Sequence, residues 1–209
     1  MSESTLYVKV VDNDLIVLSL YVDDLLVTWS NEGIIEQFKS QIMLNFEMTN
    51  LGEMTFFLSM EIQQTQHGIF IGQQKYAREV LKKLNLENCK AISTPFSQND
   101  KLNKEDGAEK IDEGKYRSII RCLMYLTATR PDIMFSVSLL SRFMHCASEL
   151  HYKATKRILR YIKGTLLYGL KFENKKELFL HGFFDSDWAG SCDDMRSTSR
   201  LLQSWISLF

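Results

Sequence analysis

The chain has 209 residues, 45% of them hydrophobic and 24% charged, with 26 acidic side chains against 25 basic ones. That composition supports one ordinary globular domain or two small ones and excludes a disordered or fibrous chain. A net charge of −1 excludes a globally basic nucleic-acid binder, so any site for a polyanion has to come from local clustering. Four cysteines, Cys89, Cys122, Cys146 and Cys192, have no short paired spacing. This argues against a zinc site or a disulfide framework and predicts free thiols in a reducing compartment. The longest mainly apolar run, Leu15 to Val22, is too short for a membrane span, and Met1-Ser-Glu-Ser-Thr5 has no signal-peptide character. A soluble intracellular chain with no membrane partner is expected.

From Thr5 to about Trp29 the pattern reads strand, turn at Asp12-Asn-Asp14, strand, a tip at Asp23-Asp24, strand. On the residues alone, the Asp pair serves first as turn chemistry. Its alternative is a hairpin that holds two carboxylates side by side for a divalent metal. A helix follows, capped by Ser30 or Asn31, with Ile34, Ile35, Phe38, Ile42 and Phe46 at helical spacing. Met54 to Gln63 has a strand pattern, and Gln66-His-Gly68 turns into a further strand, Ile69 to Ile71. Gln74 to Leu84 is an amphipathic helix with Tyr76, Val80, Leu81 and Leu84 inward and Lys75, Arg78, Lys82 and Lys83 outward.

Ser93 to Lys115 mixes Pro, Gly and both charges without a period and reads as a linker. Helices then dominate: Tyr116 to Ala128, Pro131 to about Cys146, and His151 to about Lys163 capped by Ser148. The last of these carries Lys153, Lys156, Arg157, Arg160 and Lys163 on one face, and no acid occurs between His151 and Lys171. That face reads either as a phosphate-tracking surface or as a merely solvated one. His145, Cys146 and His151 lack a fourth partner at useful spacing, so a closed metal site is not expected there. Leu178 to Phe184 returns to strand character and leads into Asp185-Ser-Asp187.

The order of short motifs is more specific than any one of them. Tyr21-Val-Asp-Asp24 is followed by Leu51-Gly52, Gly68-Ile-Phe-Ile71, Gln74-Lys-Tyr-Ala77, Ser93-Thr-Pro95 and Tyr116-Arg-Ser118. Leu123-Met-Tyr-Leu-Thr127, Thr129-Arg-Pro-Asp-Ile133, Arg160-Tyr-Ile-Lys-Gly-Thr165 and Asp185-Ser-Asp-Trp-Ala-Gly190 come next. From Thr5 to Ser199 this resembles the reverse transcriptase region of copia-type LTR retrotransposon polyproteins, running into the start of RNase H. The resemblance implies an α+β fold: a partial palm of antiparallel hairpins and helices over 1–92 and, beyond the linker 93–115, a helical thumb or connection over 116–177. An RNase H-like strand would then open at 178–199.

It also implies function. Asp23 and Asp24 match two of the three palm carboxylates that bind Mg²⁺ for RNA-directed DNA polymerisation, a two-metal nucleotidyl transfer from dNTPs. Asp185 matches the first catalytic, metal-binding acid of RNase H, ahead of Asp187. Tyr21 would approach the primer end, and Lys153, Lys156, Arg157, Arg160 and Lys163 would contact an RNA template or RNA–DNA hybrid. In the intact family the setting is the cytoplasm or a virus-like particle. The third palm acid and the fingers are expected upstream of Met1 and the other RNase H acids beyond Phe209, so this chain alone is expected to be inactive. Asp12 and Asp14 cannot replace the missing acid, because a strand separates them from Asp23 by about 20 Å or more. The pattern departs from the family at Trp29, Arg121 and Arg200, where Gly is usual. The tail 200–209 matches nothing and is expected to be a frameshifted or mis-spliced end.

Overall fold

The computed structural model describes residues 5–11, 13–97, 102–173, 179–187 and 198–206, with side chains as far as Glu173. It divides into two compact units, Met1–Glu53 and Met54–Phe209. The boundary falls inside the stretch 1–92 that the sequence suggests as a partial palm.

In the first unit, β1 (Leu6–Val11), β2 (Asp14–Tyr21) and β3 (Asp24–Trp29) form an antiparallel meander in the order β1-β2-β3. Helix α1 (Glu32–Asn45) follows, and its N-cap Asn31 accepts a hydrogen bond from the Gly33 N–H at 2.8 Å. Its apolar contribution to a core is small: among the described residues of this unit only Ile16 and Ile35 are buried. Leu6, Val8, Val10, Leu44 and Phe46 are all more than half exposed.

The second unit begins with β4 (Phe56–Phe57) and β5 (Met60–Thr65), where the sequence suggests one continuous strand. Leu58 and Ser59 turn the chain with φ of 46° and 57°, the signature of a tight hairpin turn that usually selects Asn-Gly. β6 (Gly68–Gly72) completes the hairpin, and β7 (Gly169–Glu173), from the far end of the helical region, pairs antiparallel with β6. This last strand is absent from the sequence expectations. The close pairing requires glycine: a Cβ on Gly68 would lie 2.0 Å from the Phe172 carbonyl oxygen, and one on Gly169 2.4 Å from that of Ile71.

Four helices pack in this unit: α2 (Gln74–Lys83), α3 (Glu113–Leu126), α4 (Pro131–Ser141) and α5 (Glu149–Gly164). Helix α3 starts three residues earlier than Tyr116, inside the expected linker, because Asp112 caps it by accepting from the Lys115 N–H. α4 stops at Ser141, short of Cys146, and the chain passes through turns to the Ser148 cap of α5. Tyr116, Ile120, Leu123, Leu126, Ile133 and Ile158 have at most 1% of their surface exposed and form the core. α2 has no side-chain cap of its own. The Glu61 carboxylate on β5 accepts from the Lys75 N–H instead, which ties the sheet to the helices.

β8 (Phe179–Asp187) pairs antiparallel with β9 (Thr198–Ile206), Asp185 opposite Arg200. The tail that departs from the family pattern therefore supplies most of a strand. Asp12, part of the linker and Trp188 to Ser197 lie outside the described residues.

Replacing Leu123 by Ala should cost about 2–5 kcal/mol, read as a lowered urea midpoint by circular dichroism, because its side chain is fully enclosed. Leu44→Ala, at an 85% exposed position, should move the same midpoint by less than about 0.5 kcal/mol.

Candidate active-site hairpin and basic helix

β2 and β3 are paired from Ile16↔Trp29 to Tyr21↔Asp24, which leaves only Val22 and Asp23 to reverse the chain. Val22 has a φ of 52°, a left-handed conformation that is costly for a β-branched residue, by roughly 1–2 kcal/mol. The turn therefore is not what Val would choose locally; the ladder on both sides imposes it. Its result is that Asp23 stands at the apex and Asp24 opens β3, both exposed, with Tyr21 directly across from Asp24 and half exposed.

Two adjacent carboxylates are hard oxygen donors of the kind Mg²⁺ accepts while keeping several waters. They suit the ion but are too few for a complete site. Among the described residues, no group of three or more His, Cys, Asp or Glu could hold a metal. Asp14 is committed elsewhere, at the opposite end of the eight-residue β2. Its carboxylate accepts from the Ser30 hydroxyl and from the Asn31 side-chain amide, each at 3.1 Å. That clasp ties the start of β2 to the junction between β3 and α1, which is a structural task. Asp185 lies in β8, and its side chain lies outside the described residues.

The five cations of α5 divide into two sets. Arg157 donates to the Thr94 hydroxyl at 2.8 Å, Arg160 to the Lys90 carbonyl at 2.8 Å, and Lys163 to the Glu87 carbonyl. These three hold the irregular segment 87–94 against the helix. Lys153 and Lys156 are exposed, and the Lys156 ammonium lies 4.1 Å from the centre of the Tyr152 ring. Helical spacing places all five on one face but cannot separate the two sets, because the partners of Arg160 and Lys163 are backbone carbonyls.

Several motif residues that carry the family resemblance are likewise joints. Arg130, 3% exposed, makes a bidentate pair with Asp132 at 2.9 and 2.7 Å and donates to the Thr165 carbonyl and hydroxyl. Its guanidinium also lies 5.7 and 5.4 Å from the Tyr161 and Tyr168 ring centres. Thr129 donates to the Gln73 side-chain carbonyl, and the Tyr125 hydroxyl to the Leu58 carbonyl. His151, fully buried, stacks on Phe143 and contacts the Ser148 hydroxyl, which also bonds Asp106. His145 lies 3.2 Å from the Arg117 guanidinium.

Burial would raise the Asp132 carboxyl, but the hydrogen bonds and charge of Arg130 outweigh it and hold the group below its ordinary 3.8. For Asp106 the hydrogen bond from Ser148 is the largest influence; it outweighs the upward push of burial and holds that carboxyl below its ordinary value as well. Both depressed carboxyls therefore stabilise the fold fully above about pH 4, and that contribution is lost as pH falls through their lower folded-state values. The thermal midpoint should decline as pH falls below about 4, and Asp132→Asn should lower the neutral-pH midpoint while flattening that acid limb. An unchanged acid limb in Asp132→Asn and Asp106→Asn would contradict this assignment.

Comparison with known proteins places these features. Residues 1–98 match the family model of reverse transcriptase (RNA-dependent DNA polymerase). The retrovirus-related Pol polyprotein from transposon RE1 of Arabidopsis thaliana is 34% identical over 199 residues, 95% of this chain and 14% of that protein. The corresponding polyprotein from transposon TNT 1-94 of Nicotiana tabacum is 34% identical over 91% of this chain and 15% of its own length. An uncharacterized mitochondrial protein of Arabidopsis thaliana is 38% identical over 183 residues, 87% of this chain and 75% of that protein. The chain thus spans about a seventh of the polyproteins it matches. No solved structure matches it. With the paired Asp hairpin and the motif order extending through the helical unit, the chain belongs to the reverse transcriptase family of copia-type retrotransposon Pol polyproteins.

Proposed function

We propose that this chain is the part of a retrotransposon RNA-directed DNA polymerase that presents the paired palm carboxylates, and that alone it does not polymerise. The observation that carries the reading is the hairpin itself, a two-residue turn forced on Val22 so that Asp23 and Asp24 stand exposed at the end of a fully paired ladder. Asp23 and Asp24 would hold Mg²⁺. When bound, such ions activate the primer 3′-hydroxyl and stabilise the pyrophosphate leaving group. The chain's own part is to keep the two acids adjacent at a fixed place and to offer Tyr21 beside them as a surface for the primer end.

Polymerisation needs a third acid near the pair, and Asp14, the only other described acid on β2, is bound to Ser30 and Asn31. The reading therefore calls for a third acid from outside the described β2–β3 hairpin. Asp185, in the Phe179–Asp187 strand, is read as the first metal-binding acid of an RNase H-like centre.

A second reading is favoured by one observation: Lys153 and Lys156 remain exposed on α5 with no acid along the helix beyond Glu149. The chain then holds RNA or an RNA–DNA hybrid without sequence preference, with dNTPs as the only small substrates of the complete enzyme. No described helix is long and apolar enough to cross a membrane. Binding of this kind weakens as salt rises.

Primer extension on an RNA template with Mg²⁺ or Mn²⁺ tests the main reading. The chain alone should give no product, and product that disappears in Asp23→Asn would refute the claim that it needs a further acid.

A further inference from the structure

We infer that Lys115 and Lys156, whose ammonium groups lie by the Tyr152 ring, form with the neighbouring exposed Lys153 the place where this chain holds a nucleic-acid backbone. The inference rests on the nucleic-acid-binding reading above and assigns its residues. It follows from the division of labour on α5. Arg157, Arg160 and Lys163 each give one hydrogen bond to segment 87–94, at Thr94, Lys90 and Glu87, so the C-terminal half of the basic face is a clamp on the chain itself. The cations left to meet a ligand are those of the N-terminal half. There, a second helix adds to them: the Lys115 ammonium, in the first turn of α3, lies 5.3 Å from the Tyr152 ring centre, and that of Lys156 lies 4.1 Å from it.

The ring does more than sit beneath the charges. Cation–π attraction acts within about 6 Å and restricts ammonium groups that would otherwise sample many rotamers. Less side-chain entropy is then lost when a phosphate binds between them. Lys153 and Lys156, three apart on the helix, are neighbours on its surface. The nearby acids are turned to other work: Asp112 caps α3, and Glu113 pairs with Arg117. Glu149 remains exposed at the first turn of α5, one turn away from Lys153. The chemistry that fits is a chain of phosphates read as charge, with the Tyr152 edge available to a sugar or base, and no base-specific donor set.

The test is fluorescence anisotropy of the full chain with a labelled RNA–DNA hybrid of about 20 base pairs across a salt series, for four proteins. In Lys115→Gln/Lys156→Gln the slope of log K against log salt should become shallower by about 1.4–1.8, since each phosphate contact contributes about 0.7–0.9. In Arg160→Gln the slope should stay at the wild-type value while proteolysis within residues 87–94 becomes faster. Tyr152→Phe should behave as wild type. Wild-type binding with an unchanged slope in the double variant would overturn this assignment but leave the binding reading intact. No wild-type binding at low salt would sink both. Displacement of the hybrid by poly-glutamate as effective, charge for charge, as by unlabelled hybrid would assign the patch to an acidic protein and overturn it.

Discussion

The antiparallel ladder between β2 and β3 is the constraint on which the site depends. Six paired positions on each strand leave two residues for the turn, and the second strand begins with an acid. Val at the first turn position opposes the geometry, so the hairpin is held by the strands on either side rather than by its own turn preference. A looser connection with Asn-Gly would close more easily but would move the acids or replace them. Asp23 and Asp24 are adjacent and exposed because the register permits nothing else at those positions. Slipping one residue would send the alternating apolar residues of β2 to the opposite face and lose the burial of Ile16.

The helical unit obeys a different rule, that a buried or semi-buried cation must be paired. Arg130 illustrates it: the first turn of α4, the end of α5 and the start of the chain leading into β7 meet on one guanidinium. Its planar fork satisfies a carboxylate, a carbonyl and a hydroxyl together, which an ammonium could not do. Arg157, Arg160 and Lys163 of α5 are also spent on the chain itself, each giving a hydrogen bond to segment 87–94. Much of what looks like a basic surface in this unit is therefore internal scaffolding, and only the remainder can act on a partner.

Legibility followed the range of the interactions. The first three strands, α1 and α2 could be read from alternation, helical spacing and the Asn31 cap, all of which are local signals. β7 could not, because Gly169-Leu-Lys-Phe-Glu173 is a strand only through its pairing with β6 across the whole helical region. The break between β4 and β5 was hidden because Leu58 and Ser59 occupy positions that normally announce themselves as Asn and Gly. The early start of α3 was marked by Asp112 but masked by the mixed charges around it. At the site, the Asp pair was visible in the sequence, whereas the separation of the α5 cations was not. Their partners are largely backbone carbonyls, and Lys115 reaches Tyr152 from a segment that reads as linker. For the same reason, β9 continues where the motif pattern stops: backbone pairing tolerates a sequence change that a family pattern does not.

The central claim is that the strained hairpin tip is a cation site built from Asp23 and Asp24. Paramagnetic broadening of backbone amide resonances by substoichiometric Mn²⁺ tests it without requiring catalysis. The account predicts broadening centred on Tyr21 to Leu25 that disappears in Asp23→Asn/Asp24→Asn. Broadening spread evenly over exposed acids, or confined to the tip yet unchanged in that variant, would contradict it.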